Sequence, residues 1–312
     1  MKRRNFYYAA AAAVVILAAS CQKSDIKTPA EPQSVNAEEF GLSTSAAPPT
    51  VYLSRALVED YTGAWCGYCP RVAYKLDELT SNNPRIISQG NHNGDVMQTA
   101  DESKLEGYYP IIGFPTAWMM RNKTYNDNGS VTDLSDTSQV SNSYLKDNKS
   151  VGLAIGTRVD GNTLKGVVKV GFGTTYTEPL KIVVNLVEDN VVTPDDPQSN
   201  YYNTDPVGNP FYGKGDYIAD FVHHNVYRGA ATDPLGNLIP SDKTVAGKEY
   251  GMRFSFDLSK YNKANCKVIA FVVVDENKLS LLDVYIKGKK YKGIQNVQWV
   301  NAGGRINYEA IQ

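Results

Sequence analysis

The sequence predicts an α/β unit followed by an all-β sandwich, in a chain built for export. Three observations carry that expectation. A buried-strand pattern at Ala56-Leu57-Val58 leads through a close cysteine pair, Cys66 and Cys69, into a helix-period stretch. From about Ser150, short β-branched runs separated by Gly, Asn and Pro replace any helical pattern. The first residues combine positive charge with an apolar run, the layout of a targeting segment.

Composition excludes several classes. The chain has 312 residues, 42% of them hydrophobic, enough for two domain-sized cores. Lys+Arg 32 against Asp+Glu 33 gives a net charge of -1, so nothing draws the chain to nucleic acid. Aromatic residues at 11%, including 21 Tyr, are too plentiful for a disordered chain. The periods and long apolar spans of collagen, coiled-coil and polytopic membrane proteins are missing.

The leader begins with Lys2, Arg3 and Arg4, and its apolar run Phe6–Ala19 is shorter than the roughly 20 residues of a membrane span. Leu17-Ala18-Ala19-Ser20-Cys21 resembles a bacterial lipobox, with Ala18 where Leu is commoner. That resemblance implies a signal peptide over residues 1–20 and acylation of Cys21; ordinary cleavage beside a chance cysteine is the alternative. Residues 21–49, rich in Pro, Ser, Thr and Ala, read as a flexible tether. Gln22-Lys23-Ser24-Asp25 is similar to export signals that send some lipoproteins to the outer cell surface. The α/β unit is then expected over residues 50–149 and the sandwich over 150–312.

The four cysteines are Cys21, Cys66, Cys69 and Cys266, and exported compartments are oxidising. After Cys69, the residues Val72, Ala73, Leu76 and Leu79 recur at helical spacing until Ser81-Asn82-Asn83-Pro84 ends the pattern. Cys66 is thereby expected at a helix N-terminus, where unpaired N–H groups stabilise a thiolate. Cys69 is the more buried partner, placed to attack a mixed disulfide at Cys66. Arg71 adds positive charge if it faces the sulfurs, and Pro70 falls in the first turn, where its missing N–H is tolerated.

Trp65-Cys66-Gly67-Tyr68-Cys69 resembles the active-site motif of the thioredoxin superfamily, and Gly113-Phe114-Pro115-Thr116 resembles its cis-proline loop. The resemblance implies a thioredoxin-like fold for the first unit. It implies that Asp60 is a buried acid serving proton transfer from Cys69, with a pKa raised by burial. It also implies that Pro115 is cis and faces the sulfurs, and that Phe114 offers its backbone to a substrate strand. Trp65, Gly67, Tyr68, Phe114 and Thr116 would surround the reacting sulfurs. Helix-capable residues 101–108 and the run Thr116–Met120 supply flanking elements. Tyr68 occupies the variable position of the motif, so oxidant, reductant and isomerase stay open.

The second half reads as strands at residues 153–155, 167–170, 182–187, 253–256, 268–274 and 279–286, a pattern suited to an immunoglobulin-like sandwich. A long polar loop over 190–216, carrying Tyr201-Tyr202 and four prolines, is either a protein-contact loop or a packed excursion. The lipobox, the cysteine motif, Asn91-His92-Asn93-Gly94-Asp95 and His223-His224-Asn225-Val226-Tyr227-Arg228 together resemble the outer-membrane-protein-28-related lipoproteins of Bacteroidetes. That resemblance implies an outer-membrane lipoprotein facing the periplasm or the cell surface.

Each candidate has a plainer reading. The 66–69 pair needs only oxidation to be a structural disulfide. Zinc needs about four ligands, and Cys266 with three His offers no ligand spacing, so neither metal nor cofactor is expected. Cys266 opens an apolar run and reads as a core residue. His92, within Gly90–Asp95 after the strand Ile86-Ile87, reads as part of a polar turn, with a polar rim near the active site as the alternative, while alternation puts His223 and His224 on opposite faces. The expected function is a lipid-anchored thiol–disulfide oxidoreductase acting on thiols or disulfides of exported proteins. The alternative is a surface binding or adhesion module with a structural disulfide.

Overall fold

A computed structural model describes residues 36–43, 47–126, 144–145, 149–205 and 209–311. The leader, the lipidation candidate Cys21 and most of the expected tether lie outside the described residues. The elements run β1 (Ala56–Thr62), α1 (Cys69–Asn82), β2 (Ile86–His92), α2 (Ala100–Tyr108), β3 (Thr116–Met119), β4 (Lys123–Asn126), β5 (Val151–Asp160), β6 (Thr163–Phe172) and β7 (Leu180–Glu188). Then follow β8 (Gln198–Ser199), β9 (Tyr217–Ile218), β10 (Val226–Ala230), β11 (Asn237–Leu238), β12 (Glu249–Asp257), β13 (Cys266–Val274), β14 (Ile294–Asn301) and β15 (Arg305–Ile306). The protein is mostly β, with mixed strand directions and few helices.

β1, α1 and β2 form a strand–helix–strand unit whose two strands are parallel, so the chain must cross over between them, and α1 is that crossover. β3 pairs antiparallel with β1, placing Ala117 opposite Asp60. β2 is not left as an edge: β10 pairs parallel with it at Gly90 and Val226, and then antiparallel with β7. The result is one mixed sheet in the order β14-β13-β7-β10-β2-β1-β3-β4, with β11 beside β7. A second sheet, β12-β6-β5-β15, is wholly antiparallel.

This topology corrects the expected split near residue 150. The described residues between 36 and 311 fall in one compact unit. Val58, Leu76 and Ile87 from the first half share a core with Val183, Phe271 and Val297 from the second. The sandwich is present, but one of its two sheets continues into the α/β unit. Leu153, Val168 and Val170 of the small sheet meet Ile182, Val184, Val268 and Val272 of the large one.

Three local expectations are also revised. Of the turn expected over 90–95, residues 90–92 instead continue β2, whose polar side chains find partners inside: Gln89 donates to Asn91 and accepts from Asn185, both at 2.9 Å; the chain turns only after His92. Residues 279–286 are not a strand; Leu282–Ile286 is a helical turn whose start is held by Ser280 and Asp283. The expected tether is packed over residues 37–42, where Phe40 and Leu42 are buried against Ala154 and Val167. Gly156 makes that docking possible, since a Cβ there would lie 2.6 Å from the Phe40 carbonyl oxygen.

A buried ion pair ties the first half to the turn after β3. Arg121 donates to both carboxylate oxygens of Glu59 at 2.8 Å, and its guanidinium lies over the rings of Tyr109 and Phe271. Breaking such a pair strands a charge in the interior. Arg121→Met is expected to cost roughly 3–5 kcal/mol of unfolding free energy, read from urea denaturation; a loss below about 1 kcal/mol, the scale of an exposed pair, would show that the site relaxes or admits water.

Candidate redox site

β1 delivers Asp60 and Thr62 to the face covered by α1, while Glu59 and Tyr61 point to the opposite face, as strand alternation requires. The chain leaves β1 at Thr62 and turns through residues 63–68 before the helix begins. α1 starts at Cys69, with Tyr68 as its N-cap, so Cys66 lies in the turn ahead of the helix instead of within its first turn. The Cys69 N–H donates to the Cys66 carbonyl at 3.1 Å. Cys66 and Cys69 are joined as a disulfide. Both are buried, at 3% and 1% exposure, so the expected difference between them is small in this oxidised state.

The residues named around the sulfurs sit on neighbouring elements. The Phe114–Pro115 peptide is cis, and the Thr116 hydroxyl donates to the Gly113 carbonyl at 2.6 Å. The Phe114 ring meets Trp65 edge-on at 5.4 Å. Trp65 donates its indole N–H to the Asn93 carbonyl at 2.6 Å while half its surface stays exposed. The Ala64 N–H is held by Asp95, which also bonds His92 Nδ1 at 2.6 Å.

Asp60 is the electrostatic anomaly of the site. Its carboxyl is buried, Oδ1 has no hydrogen-bond partner, and burial pushes its pKa up to about 8. It lines a cavity of about 30 Å³ together with Cys69, Ser88, Gly90 and Gln198. All three histidines of the chain, His92, His223 and His224, line the same cavity. His223 is buried and His224 half-buried, but the two lie outside any strand and line one cavity, so the alternation expected of a strand does not apply to them. Burial holds the His223 imidazole down at about pKa 3, and hydrogen bonding to Asp189 raises that of His224.

What sequence reasoning missed is a strap. Residues 198–202 of the long polar loop lie along the cysteine turn: the Ser199 N–H donates to the Ala64 carbonyl at 2.7 Å and the Tyr201 N–H to the Gly67 carbonyl at 3.0 Å. The buried Gln198 carboxamide donates to the carbonyls of Cys66 and Ala64 at 2.9 and 3.2 Å. Tyr68 packs edge-on against Tyr201 at 5.0 Å, and Arg71 stacks over Tyr202. Gly67 is required here, because a Cβ would lie 2.3 Å from the Tyr201 ring. The only sequence signal is the paired tyrosines in an unusually long loop. Cys266 is a buried free thiol whose pKa burial raises to about 11, in keeping with a core role.

These features define a mostly β, sandwich-bearing protein with a covered cysteine pair where a strand passes into a helix. The chain belongs to the outer membrane protein Omp28 family, whose model matches residues 102–290, and membership carries an outer-membrane location. The matched segment begins after the cysteine pair. Among solved structures, HBP35 of Porphyromonas gingivalis is similar in fold, with a TM-score of 0.58 and 16% identity over 80% of this chain and 76% of that one. A crystal structure of an Agrobacterium tumefaciens protein aligns with a TM-score of 0.43 and 10% identity over 81% of this chain and 96% of that one. No curated protein matches the chain.

Two outcomes follow. Folded Asp60 keeps its proton to about pH 8, whereas an unfolded aspartate releases it near ~3.9. The folded state therefore holds the extra proton between those values, and this group's contribution to stability falls as pH rises through that window. His223 contributes the opposite slope between about 3 and its unfolded value near ~6.5, so the comparison must be between proteins that both retain it. Asp60→Asn is expected to gain stability over the wild type progressively from about pH 5 to about pH 8 in urea denaturation; a constant difference would contradict the buried, protonated assignment. Gln198→Ala is expected to let a water-soluble phosphine reduce the disulfide several-fold faster, with equal rates counting against a guarding role for the strap.

Proposed function

We propose that this protein is a lipid-anchored thiol–disulfide oxidoreductase of the outer membrane, acting on exported proteins through Cys66 and Cys69. The observation that carries this reading is Asp60: a buried carboxyl with an unpartnered oxygen, sharing a cavity with Cys69. Such a group is costly to bury and has no use in a passive crosslink. Support comes also from the arrangement around it, a parallel β1-α1-β2 unit with cis Pro115 leading into β3 beside β1.

In the reducing direction, the Cys66 thiolate attacks a client disulfide, forming a mixed disulfide and releasing one client thiolate. Asp60, in the carboxylate form that it increasingly takes as pH rises toward about 8, accepts the thiol proton of Cys69, which attacks Cys66 Sγ. The Cys66–client bond breaks, its electron pair leaves on the second client sulfur, and the Cys66–Cys69 bond forms. The oxidising direction is the reverse. Pro115 and Phe114 hold the client backbone beside the sulfurs, with Trp65 and Tyr68 as its apolar neighbours. Cys21 supplies the anchor.

A second reading has its own observation. Cys66 is 3% exposed beneath the strap, as expected if the disulfide braces a surface binding module. Equilibration of the pair with a glutathione redox buffer separates the two. A reversible two-electron transition, retained in Cys266→Ser and lost in Cys66→Ser, is the expected result. A pair that reduces only after denaturation would leave the binding module as the function.

A further inference from the structure

The chain's three histidines come from two distant segments of the sequence, yet they converge on the cavity that holds Asp60 and Cys69. The redox chemistry above needs Cys69 and Asp60 alone. Something else explains why the wall opposite them is built from His92, His223 and His224.

Two buried polar atoms on this wall have no protein partner: Asp60 Oδ1 and His223 Nε2. The cavity they share, about 30 Å³, exceeds the roughly 10–15 Å³ that one water needs. The space exists because residue 90, directly across from Asp60 in the parallel pairing, is glycine. A methyl group there would meet no atom nearer than 3.7 Å, its neighbours being the His224 carbonyl and the His92 imidazole. The cavity also has a way out. Asp77 and His224 line both it and an adjoining surface groove of about 430 Å³. At that mouth His224 bonds Asp189 at 2.7 Å and lies 3.9 Å from Asp77, and Lys267 bonds the other oxygen of Asp189.

We propose that this cavity is the proton route of the redox site: a water held between Asp60 and His223 carries the Cys69 proton past Gly90 to the mouth at His224 and Asp77. The inference rests on the oxidoreductase reading and adds to it residues that touch neither client nor sulfur. As Cys69 attacks Cys66 Sγ, its proton moves to the Asp60 carboxylate. Asp60 then gives a proton to the water, which passes one on toward the mouth, so the carboxylate is restored for the next cycle and no oxidant beyond the client disulfide is required. His223 stays neutral at neutral pH; it orients the water through Nε2 and does not store the charge. His92, fixed by Asp95 at 2.6 Å and packed edge-on against His223 at 4.9 Å, holds that imidazole in place. His223 and His92 are thus positioning residues. The charged end of the route is the His224–Asp189–Lys267 cluster with Asp77.

The test follows oxidation of the reduced full chain by glutathione disulfide, raised until the rate no longer depends on its concentration, from about pH 5 to about pH 9 in water and in deuterium oxide. Gly90→Ala fills the space without a clash, and His223→Phe keeps the ring while removing its nitrogens. Both variants are expected to slow the limiting rate by about tenfold, below the roughly hundredfold low end of general acid–base effects because Asp60 itself is kept, and to alter its pH profile and solvent isotope effect. The equilibrium constant with glutathione and the thermal unfolding midpoint of Gly90→Ala should stay at their wild-type values, since a route changes the rate of proton transfer and not its end points. Wild-type rates and isotope effects in both variants would overturn the route while leaving the oxidoreductase reading intact. A shift of the equilibrium constant as large as that of the rate would make the effect structural and overturn it too. A wild-type chain that never exchanges with glutathione would instead overturn the oxidoreductase reading, and the route with it.

Discussion

The pairing of β2 with β10 is the constraint on which the rest of the molecule depends. A parallel β1–β2 pair with a crossing helix leaves an open strand edge, and unpaired edges are a liability in any β protein. Here the edge is closed by a strand contributed from far along the chain, at Gly90 and Val226. The Gly90 N–H donates to the Asn225 carbonyl at 3.0 Å. Closing the edge this way places residues 221–225 beside the helix that carries Cys69, and puts the β7–β13 sheet in register with the first unit. The continuous core of Val58, Ile87, Val183 and Phe271 is the packing consequence. The histidine-lined wall of the cavity is the chemical one.

The same junction explains which parts of the fold could be read from the sequence. Helix α1 was legible because Val72, Leu76 and Leu79 keep helical spacing on a buried face, a signal that needs no tertiary partner. The strands of the sandwich were legible for similar reasons of local composition. The end of β2 was not: Gly90, Asn91 and His92 look like part of a turn until Gln89, itself bonded by Asn185 of a distant strand, is available to bond Asn91. Residues 279–286 failed in the opposite direction. Their apolar character suggested a strand, yet Leu281, Leu282 and Ile286 are exposed on a helical turn held by Ser280 and Asp283. Tertiary context decided both.

The site divides along the same line. Cys66, Cys69, Asp60 and Pro115 lie within one local motif and its neighbouring strands, and their spacing was readable. The structure brings Asp60 and Cys69 to one cavity and makes the Pro115 peptide cis. Gln198, Tyr201 and the His223 wall come from loops whose position follows only from the closed sheet. A single sequence contains no local pattern that would seat Tyr201 against Gly67, although the absence of a side chain at 67 is what the contact requires.

Cover and carboxyl together distinguish this site from either of its simple readings. A crosslink under a strap would be adequately explained by Gln198 and the two backbone bonds of Ser199 and Tyr201, which stiffen the turn at no electrostatic cost. An open redox site would be adequately explained by Asp60 alone. The protein has both, and the two act on different events. The strap covers Cys66 and already engages the carbonyls of Ala64 and Gly67, so on the oxidoreductase reading a client strand would have to compete for them. On the proposed oxidoreductase reading, Asp60 acts later, on the proton of Cys69, from a cavity that the strap's Gln198 helps to enclose. Enclosure and protonation are therefore coupled physically: the packing that covers Cys66 also confines Asp60 to a cavity of about 30 Å³, where burial holds its pKa up at about 8. Loosening the strap would uncover Cys66 and, by opening the cavity to bulk solvent, lower the Asp60 pKa toward its ordinary carboxylate range.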